Sequence, residues 1–357
     1  MSFFKNNSKS IIAFLMGAIL FSASLVYYSG KIKPEVTHPD EAVRVRMSVY
    51  FKLFFINRDF DSPQWQKVEI RLGPPVSAYI TGLALWLGGQ QDKIGKMGME
   101  NPWNFKEKFA WNLANIKLPS REELYIVKFA MAVFVSLSVL ILYWIGLKCF
   151  GMVTAICSSL FFACHPLMLA CATNATLDAP LIFLITLSIL LMLFFYQALS
   201  ERKFASSVLF AAGIGLNAGI AAGTKIQGAI TGVIFMVFCF CIIFSEAIKY
   251  FKNWASVDPG KAFCSKKIQI ILVSMMLFSV TAAVCFIAPN PYLYHRPIEG
   301  LRRMVEGRVK QITTQKMEFS TKDYFHREYN TSVIDSFPKK VRCIILRVFV
   351  GEGKSSL

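Results

Sequence analysis

The chain has 357 residues, 55% of them hydrophobic, with 32 phenylalanines and a mean hydropathy of +0.47. A soluble domain of this size does not need so much apolar side chain, and here it comes in long runs. An all-α polytopic membrane protein is expected, because a lipid-embedded chain must satisfy its own backbone hydrogen bonds. The formal net charge of +17 does not point to nucleic acid: the Lys and Arg residues lie between apolar segments, where positive-inside bias and anionic headgroups account for them, and there is no zinc-finger, helix-turn-helix or basic-tail pattern.

Lys5 and Lys9 precede the first apolar run, 11–28, and set its start on the cytoplasmic side. The run is long for a signal-peptide core and Ser29-Gly30-Lys31 is a poor cleavage site, so an uncleaved first helix is expected. His38-Pro39-Asp40-Glu41 follows at the membrane exit, opening a long polar loop over 31–120. Within that loop, 42–56 is partly amphipathic and reads as an interfacial helix. Arg71-Leu72-Gly73-Pro74-Pro75 breaks the chain, and 76–87 is apolar but short for a span, which suits a re-entrant or interfacial helix ending at Gly88-Gly89. Trp103, Phe105, Phe109 and Trp111 suit a headgroup-level segment.

Spans are then expected at 124–147, 152–172, 181–199, 206–222, 228–248 and 268–288. The lysine-rich loop 249–267, five lysines against Asp258, is cytoplasmic. This alternation brings Asp40, Glu41, Asp178, Lys225 and the segment from Pro289 onward to one outer face, which is the periplasm of a bacterial inner membrane or a lumen. A basic outer segment carries Arg302, Arg303, Arg308, Lys310, Lys316, Lys322 and Arg327. The apolar run 341–350 reads as the start of a further span cut short. The chain thus divides into a first transmembrane helix (1–30), an outer loop with the acidic motif (31–120), a helical bundle (121–288), a basic outer loop (289–340) and a truncated end (341–357). The nine cysteines form no metal motif; Cys157, Cys164 and Cys171, spaced by seven, read as one helix-packing face.

Two adjacent carboxylates at a membrane exit suit a general base, with Asp40 taking a proton from an acceptor hydroxyl. Glu41 would raise the pair's apparent pKa or help hold an acceptor or a divalent metal ion, although no full ligand set is visible. The plainer alternative is that Asp40 caps the following helix. Asp178, before Pro180, either caps its own helix or acts as a membrane-edge carboxylate. Lys225 is either a snorkelling lysine or a cation for an arriving phosphate. His295 and Arg296 either bind headgroups or clamp a leaving phosphate. Carboxylates and cations at one membrane face suit transfer of a sugar from a lipid phosphate. A transporter or flippase of a lipid-linked substrate would also place charges there, but no internal repeat is evident.

The order of these motifs resembles the GT-C membrane glycosyltransferases, in the RgtA-, ArnT- and protein-mannosyltransferase-like group. The resemblance rests on His38-Pro39-Asp40-Glu41; on Arg71-Leu72-Gly73-Pro74-Pro75 with Tyr79 and Leu87-Gly88; on His165-Pro166 with Thr176-Leu177-Asp178-Ala179-Pro180; and on the Gly-rich stretch 213–223 ending in Thr224-Lys225. Pro289-Asn290-Pro291-Tyr292 matches more loosely. It implies a GT-C-like bundle and a polyprenyl-phosphate-linked sugar donor. It also implies Asp40 as base, with Asp178, Lys225, His295 and Arg296 in support, and an acceptor that is a lipid, glycan or protein. Thr173-Asn174 stands where the group commonly has an arginine, and the group continues through further spans.

Overall fold

The computed structural model describes residues 7–67, 70, 73–96, 107, 109–252 and 266–320. Arg71, Leu72, Trp103, Phe105, most of the 249–267 loop and the 341–350 run lie outside them. The architecture is all-helical, with no strand among the described residues. The helices that define it are α1 Asn7–Ser29, α2 Pro39–Met47, α3 Val76–Leu87, α4 Phe109–Asn115, α5 Arg121–Cys149, α6 Met152–Cys164, α7 Pro166–Thr173, α8 Asp178–Ser200, α9 Phe204–Thr224, α10 Ile230–Lys252, α11 Lys266–Ile287 and α12 Pro297–Ser320. A short α turn Val49–Phe51 and a π-helical stretch Lys52–Asn57 continue α2.

Six helical stretches among the described residues are long and apolar enough to cross a membrane: Ser10–Ser29, Arg121–Cys149, Asp178–Ser200, Phe204–Thr224, Ile226–Ile248 and Lys266–Ile287. The chain is a multi-pass integral membrane protein.

The span expected at 152–172 is broken at Pro166: α6 and α7 meet at an angle of 61°. Pro166 has no N–H to give and forbids helical backbone at His165, which is extended at φ −66°, ψ 129° and caps α7 through its ring. The bent pair still spans the bundle. At one end the Tyr143 hydroxyl donates to the Ala13 carbonyl (3.0 Å) and touches the Met152 sulfur (3.2 Å). Near the other, the Tyr28 hydroxyl donates to the Ala163 carbonyl (2.9 Å), and the Thr37 hydroxyl donates to Asn174 (3.1 Å). So Met152 lies beside the start of α1 and Asn174 lies beyond its end. The bend also undoes the cysteine face: Cys157 and Cys164 are exposed while Cys171 is buried.

Polar contacts tie several of the remaining spans to one another at their ends. Lys148 of α5 donates to Gln197 of α8 (2.5 Å), and Lys267 of α11 pairs with Glu246 of α10 (2.9 Å). At the opposite end the Tyr79 hydroxyl of α3 donates to the Pro289 carbonyl after α11 (2.7 Å). The long loop therefore folds against the end of the bundle that also carries the α8 start and the α9 and α11 ends.

Helices α9 and α11 approach backbone to backbone. A Cβ on Gly215 would lie 2.5 Å from the Phe278 carbonyl oxygen, and one on Gly219 would lie 2.5 Å from that of Ala282. Small residues permit this approach. Gly219→Val should force the helices apart and cost about 1–3 kcal/mol by overpacking, visible as a lower unfolding temperature in detergent.

Candidate active site

His38 starts α2. Its Nδ1 accepts from the Asp40 N–H (3.2 Å), while Glu41, three positions into the helix, reaches back to the His38 N–H (3.3 Å) in a capping box. The cap is therefore His38 and not Asp40, whose half-buried carboxylate caps nothing.

The two adjacent carboxylates have different surroundings. Glu41 is fully buried and forms an ion pair with fully buried Lys128 of α5 at 3.0 Å. Its oxygens also accept from the Thr37 N–H (2.7 Å) and, across the chain, from the Ala175 N–H (3.2 Å). Lys128 donates further to the Lys33 carbonyl (2.9 Å), the Glu35 carbonyl (2.8 Å) and the Thr37 hydroxyl (3.3 Å). One buried pair thus ties the loop after α1, the start of α2, the α5 helix and the turn before Asp178. Burial of both charges is tolerable only because both are paired and hydrogen-bonded.

Asp178 is the first residue of α8, and its side chain makes no capping hydrogen bond. It pairs with Lys225 at the end of α9 instead, at 2.8 Å, with both side chains partly open to solvent. Asp178 and Lys225, expected at one end of the bundle, are in direct contact.

Arg44 lies within electrostatic reach of both Asp40 and Asp178. It lies one helical turn after Asp40 on α2, so the two share a face. Burial pushes the Arg44 guanidinium below its usual range, and the charges of Asp40 and Asp178 oppose that fall, while Arg308 of α12 adds to it. The Nε atoms of both Arg44 and Arg308 are buried without a hydrogen-bond partner. Two guanidiniums within electrostatic reach of each other, each with an unanswered buried N–H, make an anion-binding arrangement. Arg44 does not figure among the residues expected from sequence; the readable signal is its spacing of four from Asp40.

His295 and Arg296 stand elsewhere on this end. His295 pairs with Asp61 (3.2 Å) and Arg296 with Glu299 (3.5 Å). With Tyr292 and Arg303 they line a cavity of about 230 Å³ that includes neither Asp40 nor Lys225. Among the described residues, no group of three or more His, Cys, Asp or Glu side chains is placed to hold a metal ion.

The family model described as dolichyl-phosphate-mannose-protein mannosyltransferase matches residues 70–288. The chain belongs to that family. It is accordingly a membrane glycosyltransferase, and the matched region takes in α3, the bundle from α5 to α11, Asp178 and Lys225. The acidic motif at Asp40 and the Arg308 helix lie on either side of it. No curated protein and no solved structure matches the chain.

Proposed function

We propose that the protein transfers a sugar, with inversion, from a polyprenyl-phosphate-linked donor to a lipid, glycan or protein acceptor at the outer face of its membrane. The observation that carries this reading is the Asp178–Lys225 ion pair at the end of the bundle where the acidic motif is docked, Glu41 accepting from the Ala175 N–H three residues before Asp178. Mannose is the first sugar to test, since the family's description names it. The face is the one opposite the lysine-rich 249–267 loop, periplasmic in a bacterial inner membrane.

In this reading the donor phosphate rests against Arg44, Arg308 and Lys225. Asp40 accepts the proton of the acceptor hydroxyl as its oxygen attacks the anomeric carbon. The bond from that carbon to the phosphate oxygen breaks, and the lipid phosphate departs as a monoester carrying one further negative charge. Cations already in place meet that charge without reorganising. Asp178 holds Lys225 in position, and Glu41 fixes the backbone of Asp40 and serves no proton transfer. His295 and Arg296 attract the anionic lipid towards this end. An apolar cavity of about 530 Å³, lined by Phe51, Phe55, Tyr79, Leu83, Trp86 and Ile220 among others, offers the polyprenyl chain a place beside α9, which ends at Lys225.

Binding of polyprenyl phosphate, read as a rise in unfolding temperature of the purified protein, tests the phosphate site. Wild type should be stabilised. Arg44→Met should lose about 1.5–3 kcal/mol of that binding, tenfold or more in Kd. Equal stabilisation of both proteins would remove Arg44 from the site.

A further inference from the structure

Helix α12 follows α11 by only a short connection through the turn Pro291–Leu293, so it starts close to where the chain leaves the membrane. At about 100° per residue its side chains fall into three faces roughly a third of a turn apart. The first is packed on the protein: Gly300 sits against Tyr292 and Leu293, Met304 is 1% exposed, and Arg308 is half-buried toward Arg44. The second is apolar and open: Ile298, Leu301, Val305, Val309 and Ile312 are between 43% and 86% exposed. The third is charged, with Arg302 paired to Glu306 (3.1 Å), Arg303 paired to Glu299, and Lys310 beyond them.

A helix lying on top of a protein in water shows two faces, packed and polar. A helix lying at the edge of a membrane protein, along the bilayer surface, needs three: protein to one side, lipid below and water above. An open stripe of five large apolar side chains fits the lipid direction and is larger than a water-exposed helix normally carries. Beside the start of α12, Tyr294 is partly exposed and packs on Phe60 with ring centroids 6.1 Å apart, and an exposed tyrosine at this level suits the headgroup region.

We infer that α12 is a surface-lying membrane helix whose stripe from Ile298 to Ile312 occupies the boundary between headgroups and acyl chains. The bilayer surface is then a partner of the protein in its own right. It holds in place the helix that carries Arg308 within electrostatic reach of Arg44.

The test uses the whole protein in vesicles of phosphatidylcholine and phosphatidylglycerol. A photoreactive benzoylphenylalanine is introduced singly at Val305 or Val309 on the apolar face, and at Arg303 or Lys310 on the charged face. After irradiation, lipid adducts are quantified by mass spectrometry. Adducts at Val305 and Val309 should exceed those at Arg303 and Lys310 by roughly tenfold. Crosslinking to a second copy of the chain as the main product at Val305 and Val309 would overturn the inference. So would lipid labelling that does not differ between the two faces. All four positions are exposed, so the substitutions leave the packing of α12 intact.

Discussion

Replacing Lys128 by Met is expected to cost about 3–5 kcal/mol of stability, because it leaves the Glu41 carboxylate buried without its counter-charge. Few single substitutions reach that size. The cost should be larger than that of losing an exposed pair such as Lys96–Asp92, where both side chains are mostly open to water. It should also be asymmetric. Lys128→Arg keeps the charge and should recover part of the loss, limited by the volume available at a fully buried site. Thermal unfolding in detergent measures both. Lys128 donates to backbone carbonyls of Lys33 and Glu35, so the loop between α1 and α2 should loosen first. Faster hydrogen exchange over residues 33–41 of the variant would register that. A Lys128→Met protein as stable as wild type would mean that the pair is not closed in solution.

Asn in place of Asp40 is expected to lower transfer by about 10²–10⁴-fold, the usual contribution of a general base. The change is nearly isosteric, and the Asp40 carboxylate makes no capping bond, so the fold of α2 should survive. The loss should fall on kcat and leave donor binding close to wild type, since the proposed base acts on the acceptor hydroxyl and not on the donor phosphate. Arg44→Met should show the opposite split, with donor binding weakened first. Glu41→Gln separates the two neighbouring carboxylates further: its effect should track stability, because every partner of Glu41 is a structural one.

The spans are legible in the sequence because a long apolar run flanked by lysines is at home in a bilayer and in few other settings. The ends of α3, Val76–Leu87, can be read from Pro75 before it and Gly88-Gly89 after it. The bend at His165 is not predicted from the sequence, although Pro166 is its visible cause; a proline near a helix end can stop, kink or merely start a turn. Asp178 and Lys225 can be brought to one face from topology alone, but their contact cannot, since it depends on how far α8 and α9 each extend. The different surroundings of Asp40 and Glu41 lie beyond sequence altogether: adjacent residues on a helix point about 100° apart, and only the packing decides which of them is buried. Lys128 offers a clue of its own. A lysine inside a long apolar run requires a partner, and the acidic motif supplies acids at the right end of the bundle. Arg308 gives no such signal and Arg44 only its spacing of four from Asp40, as each otherwise reads as an ordinary basic residue on an amphipathic helix.

Sugar transfer from a lipid phosphate at this end of the bundle, with Asp40 as base, is tested most directly by incubating purified protein with polyprenyl-phosphate mannose. The release of free polyprenyl phosphate is followed for wild type and Asp40→Asn side by side. Release by wild type, with the variant reduced by about 10²-fold or more at equal donor binding, is the predicted result. Equal release by both proteins, or none by wild type alongside movement of the intact lipid across vesicles, would contradict it.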